Sequence, residues 1–165
     1  MTLKFERHEH GTTGVYGEVG GIWIMLAHGE GLTKADMQLM RASVGVMARR
    51  EPAGFPALTW VFHSSGYRID DDARAAAREM NAELASHVRA RATVIDGGGF
   101  QAAAVRALVT GIDLVSRRTT PSKVFAELST AVEWCVAQRT PARASAGTPA
   151  AIVAALLEER AKIAH

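Results

Sequence analysis

Between Leu58 and Val136, short runs rich in β-branched and aromatic residues alternate with segments of helical periodicity, and this alternation constrains the fold more than any other feature of the chain. Residues 58–62, 92–96 and 123–128 read as strands. A helix over 71–89, with Ala73, Ala76, Ala77, Met80, Leu84 and Val88 as its buried stripe, separates the first two. Gly97-Gly98-Gly99 turns the second strand into an apolar helix carrying Phe100, Ala103, Val105, Leu108, Ile112 and Val115. Strand–helix–strand units of this kind pair in parallel through right-handed crossovers, so the class is α/β. Upstream, residues 3–10 alternate with period two and suit an edge strand, while 22–27, apolar on both faces, suit a central one. Thr33 and Asp36 resemble a capping box, opening a helix over 34–50 that carries Met37, Met40, Val44 and Met47. Ser129 is the expected N-cap of a helix holding Ala131, Val132, Cys135 and Val136. The expectation is a mixed sheet of about four or five strands with helices mainly on one face, plus an appended C-terminal helix.

A chain of 165 residues, 48% hydrophobic and 22% charged, buries enough surface to fold without disulfides or a structural metal. The single cysteine, Cys135, cannot form an internal bridge, which favours the cytoplasm. Residues 1–10 hold too many charges for a secretion signal, and the apolar stretches at 22–27 and 150–157 fall short of the ~20 residues of a spanning helix. Its 19 bases are interleaved with 17 acids for a net charge of +2, so no basic block recommends nucleic acid as a partner. Residues 140–147, small and without apolar periodicity, read as a linker between a domain over 1–139 and an amphipathic helix over 148–165. That helix has Ile152, Val153, Leu156, Leu157 and Ile163 on one side and Glu158, Glu159, Arg160 and Lys162 on the other. Its stripe must be buried, either on its own domain, the favoured arrangement, or on a second copy as a homodimer.

No constellation of catalytic groups is apparent, and no cofactor is expected. His8 and His10 share a strand face with Glu6, but zinc sites gather further ligands at fixed spacing, and no HxxxH or CxxC motif occurs, so no metal is expected. Cys135 lies on an apolar stripe, where a thiol behaves as a small hydrophobe. Asp96-Gly97-Gly98-Gly99 could face an anion, yet lacks nucleotide-binding spacings and reads as a tight connection. Asp70, Asp71 and Asp72 read as capping and dipole compensation. The most informative stretch is His63-Ser64-Ser65-Gly66, whose two hydroxyls follow the carboxyl end of a strand, where open α/β sheets carry their working loops. A serine nucleophile with His63 as base is disfavoured, because adjacent residues diverge and no GxSxG elbow is present. A regulatory phosphosite and hydroxyls that merely satisfy a turn both remain open.

With these residues in view, positions 3–138 resemble the SpoIIAA-like, STAS-type group of small α/β proteins, the class of bacterial anti-sigma factor antagonists. The local match is Lys123-Val124-Phe125 followed by Ala131 and Trp134, similar to a strand-to-helix ending common in that group. The group's switch loop is an Asp-Ser-Ser-Gly type; here Ser64, Ser65 and Gly66 match, and His63 stands in place of the aspartate. The resemblance implies a non-catalytic module that docks a protein partner such as a serine kinase or anti-sigma factor, with Ser65 inheriting the phospho-acceptor role. Lipid-transfer relatives of the same architecture imply the alternative, an apolar-ligand carrier with a cavity walled by Met37, Met40, Met47, Trp60 and Phe62.

Overall fold

The computed structural model describes residues 2–62, 68–97 and 120–163. Its first three strands, β1 (Glu6–His10), β2 (Gly14–Val19) and β3 (Ile22–Ala27), form an antiparallel meander. Val19 pairs with Ile22, so Gly20 and Gly21 alone make the β2–β3 turn, and their φ values of 59° and 75° are those that a two-residue hairpin of this hand demands. Beyond β3 the pairing becomes parallel, through β5 (Phe55–Val61), β7 (Val88–Ile95) and β8 (Ser122–Phe125). The sheet order is β1-β2-β3-β5-β7-β8, and the three ribbons expected between Leu58 and Trp134 do lie side by side. A separate parallel pair, β4 (Gly31–Leu32) with β6 (Arg68–Ile69), was not legible in the sequence.

Two helices cover each face among the described residues. On one face, α1 (Lys34–Arg50) and α2 (Asp71–Leu84) bury Met37, Met40, Val44, Met47, Ala73 and Met80 against Tyr16, Trp23 and Met25. On the other, α3 (Leu128–Ala137) and α4 (Pro149–Ile163) bury Ala131, Val132, Cys135, Ile152 and Leu156 against Val15, Ile24, Leu58 and Val94. Setting the appended C-terminal helix aside, α1 and α2 lie on one face and α3 on the other. All six residues of β3 are buried, and a strand apolar on both sides needs cover on both. The main sheet has six strands, where about four or five were expected.

Local signals set several boundaries. Thr33 caps α1 in a full capping box with Asp36, whose Oδ2 accepts from Thr33 N at 2.9 Å and from Thr33 Oγ1 at 2.6 Å. Asp70 caps α2, its Oδ1 accepting from Ala73 N at 2.7 Å, with Asp71 and Asp72 in the first turn. Val88, read from sequence as part of that helix, instead opens β7: it pairs with Phe55 and is buried there. The N-cap of α3 is Glu127, not Ser129, because Leu128 already belongs to the helix. The apolar helix expected after Gly99 falls outside the described residues.

Residues 140–147 are clasped to the body of the fold. Arg139, only 9% exposed, donates to the carbonyls of Gly20 at 2.9 Å, Gly147 at 3.1 Å and Ala144 at 3.3 Å. The segment forms a short 3-10 turn at Pro141–Arg143, and Arg143 pairs with Glu51. Helix α4 then lies on its own sheet with Ile152 and Leu156 fully buried. Glu159, assigned from sequence to the polar side, is also buried and accepts from Arg7 Nε of β1 at 3.1 Å.

Candidate functional site

Strands β3, β5, β7 and β8 run the same way, so their carboxyl ends form one rim. Backbone bonds knit that rim together: Phe62 N donates to Ala27 O and Asp96 N to Val61 O, each at 2.9 Å. Trp60 lies on β5 and Asp96 immediately follows the neighbouring β7, and the indole Nε1 donates to Asp96 Oδ1 at 2.8 Å. Arg160 reaches the same carboxylate from α4, its Nη1 lying 2.7 Å from Oδ2. The guanidinium sits 4.8 Å from the centroids of both Trp60 and Phe62, which meet edge to face at 5.0 Å. An aromatic pair thus supports one arginine, and one aspartate is shared between indole and guanidinium.

The chemistry open to this cluster is recognition. Asp96 is committed through both oxygens, whereas Arg160, its side chain 39% exposed, pairs with Asp96 among the described residues and presents charge to solvent. A second anion at the rim would compete with Asp96 for that guanidinium. Beside it Gly97, at φ 99°, has open space where a side chain would stand; Gly98 and Gly99 fall outside the described residues.

Among the sequence candidates, His63, Ser64, Ser65 and Gly66 lie outside the described residues, although Phe62, which immediately precedes them, is part of the rim. Cys135 is fully buried and desolvation pushes its thiol up to about 12, so it stays protonated and packs as a hydrophobe. The proposed cavity wall does not assemble. Met37, Met40 and Met47 belong to the core of one face and Trp60 and Phe62 to that of the other, because alternate residues of β5 point to opposite sides of the sheet. His8 and His10 are likewise parted: a bulge between Arg7 and Glu9 shifts the register, so that His10 pairs with Val15 and its ring meets His28 at 6.1 Å. The Arg160–Asp96 pair was missed because its members are 64 positions apart and neither belongs to a motif; the apolar run ending at Trp60 and Phe62 was its only trace.

No family model matches the chain, and no curated protein matches it. A solved structure of an uncharacterized protein of the DUF3478 family from Shewanella loihica PV-4, described as having a SpoIIAA-like fold, is similar to it. The two are 13% identical, the match covers 82% of this chain and 96% of that one, and the TM-score is 0.47.

Proposed function

We propose that this chain is a non-catalytic protein-binding module of a signalling system, and that its partner docks on the carboxyl rim of the parallel strands. The observation that carries the reading is the half-exposed Arg160, set over the rings of Trp60 and Phe62 and held by Asp96 at the end of β5 and β7. Ser65 follows Phe62 by three residues, a chain length that spans about 10 Å when extended. A phosphate there would add about −1.5 to −2 charges to the chain that continues from the rim, where the guanidinium of Arg160 is paired with Asp96. Phosphorylation would then exchange one ion pair for another and change the surface a partner meets. The partner class implied by the sequence resemblance is a serine kinase or an anti-sigma factor.

The test has two parts. Phosphopeptide mapping of the protein from its native host is expected to place phosphate on Ser65 rather than Ser64. Affinity capture is expected to recover one protein with wild type and Ser65→Ala and to lose it with Ser65→Asp, while Arg160→Ala weakens it. An unphosphorylated Ser65, together with capture profiles identical across the variants, overturns the reading.

Self-association through the C-terminal helix rests on a separate observation. Ala150, Val153, Ala154 and Leu157 form an outward seam on α4, part of a groove of about 370 Å³ bordered by Ser129 and Glu133 of α3. Leu157 is 49% exposed, and the 3–4 spacing of the seam suits antiparallel packing on its own copy. Light scattering is expected to show a dimer that Leu157→Glu converts to a monomer; a monomeric wild type would refute it.

A further inference from the structure

On the opposite side of the sheet, far along the chain from Asp96 and Arg160, the bulge in β1 builds a second polar cluster. Glu6 stands across the β1–β2 register from Glu18, and the bulge turns His8 toward α1. The imidazole side chain is only 4% exposed. Its Nδ1 lies 3.1 Å from Ser43 Oγ, which accepts from Trp23 Nε1 at 2.9 Å, so the ring is fixed from behind. Its Nε2 is buried without a hydrogen-bond partner, 4.0 Å from Glu6 Oε1. Glu18 Oε2 is also buried without one. Ligand atoms of Glu6, His8 and Glu18 all lie within 4.8 Å of one another.

One cation already serves part of this cluster. Arg50 donates to Glu6 Oε1 at 2.7 Å and to Glu18 Oε1 at 3.1 Å. It does not satisfy His8 Nε2 or the second oxygen of Glu18. Nearby, Arg143 is engaged with Glu51. Three carboxylates, Glu6, Glu18 and Glu51, face two guanidiniums, Arg50 and Arg143, which leaves one negative charge.

We propose that Glu6, His8 and Glu18 form a binding site for a divalent transition-metal ion of the zinc class, and that Arg50 is the displaceable cation that occupies its mouth. One imidazole with two carboxylates is a nitrogen–oxygen set that such ions accept and that magnesium, which prefers oxygen alone, does not favour. Tetrahedral ligands at ~2.1 Å from an ion stand about 3.4 Å apart, so the trio closes by roughly 1 Å as Arg50 swings out. Glu6, 52% exposed, provides the entry route, and the Nδ1–H of a ligating His8, donating to Ser43 Oγ, is the outer support that ligating histidines carry. Three protein ligands leave a fourth position for water or for a donor group of a partner. The bound ion would fasten the edge strand β1 to β2.

Isothermal titration of zinc chloride into the full chain at neutral pH tests this, with cobalt(II) as a spectroscopic stand-in. Expected are one ion per chain and the visible absorption of tetrahedral cobalt. Glu6→Gln, on an exposed side chain, should weaken binding about tenfold or more, and His8→Ala should abolish it. Arg50→Gln should tighten it, because the competing cation is gone. His10→Ala, which removes one ring of the His10–His28 pair, should leave it unchanged. If His8→Ala does not fold, the Glu6 and Arg50 variants decide. No stoichiometric binding by wild type, or binding indifferent to Glu6→Gln and lost with His10→Ala, overturns the proposal.

Discussion

The two faces of the sheet are built from different materials. The face under α1 and α2 holds all five internal methionines, Met25, Met37, Met40, Met47 and Met80, around Tyr16 and Trp23. The face under α3 and α4 holds none; it is assembled from Val15, Val19, Ile22, Ile24, Leu26, Leu58, Val94, Ile152 and Leu156. Methionine is unbranched and fills irregular gaps by changing rotamer, whereas branched side chains fit by shape. The first face should thus absorb substitutions that the second cannot, and the difference explains why a helix appended after a small-residue segment nonetheless belongs to the core. Its Ile152 and Leu156 fill positions that only a fitted side chain can close.

The largest expected effect attacks the fitted face. Ile152→Ala or Leu156→Ala should each lower unfolding free energy by about 2–5 kcal/mol in urea titrations, through lost burial plus an uncollapsed cavity. A loss below 1 kcal/mol at both positions, on the order of a surface change, would break the comparison. Arg139→Ala comes next, at about 2 kcal/mol, because it strands three carbonyls and unclasps the segment that delivers α4. Asp36→Asn then probes the polar anchor of the methionine face, at about 1 kcal/mol by the same measurement. Burial raises the Asp36 carboxyl, but its hydrogen bonds, those from Thr33 foremost, outweigh that and hold it below the ordinary 3.8. A carboxyl depressed in the folded state contributes stability that is present above its unfolded value and lost as pH falls through the folded one. Wild type should therefore lose this contribution only below about pH 4, and Asp36→Asn should show no such loss. Smallest is Met40→Leu, a volume-conserving change expected to cost under about 1.5 kcal/mol. A larger loss there than at Ile152 would invert the ranking of the faces.

Particular elements show where local information sufficed. Helix α1 occupies residues 34–50 as its capping box and Met37-Met40-Val44-Met47 spacing predict, since both ends are marked by adjacent residues. Residues 88–91 misled. Val88 continues the helical stripe of α2, yet the chain turns after Leu84 and the parallel ladder with Phe55 and Pro56 claims it for β7. A seven-residue partner strand outweighs one more turn of weak helix propensity. The same holds for the polar clusters. Asp96 and Arg160 meet only because α4 returns to the sheet, and Glu18 joins Glu6 and His8 only through cross-strand pairing. The proposed switch residues, Ser64 and Ser65, were legible as a strand-end motif and rest on the sequence alone.

What the sequence determined by itself is the class: apolar runs of strand length alternating with amphipathic helical segments can bury their faces economically only as an α/β sheet with parallel central strands. What the tertiary structure decided is which face each helix covers, and which distant side chains converge. Periodicity records that a residue must be buried but not against what. Partners such as Arg160 with Asp96, or His8 with Glu18, are fixed by strand order, by one bulge and by the return of the last helix, none of which leaves a periodic trace in the chain.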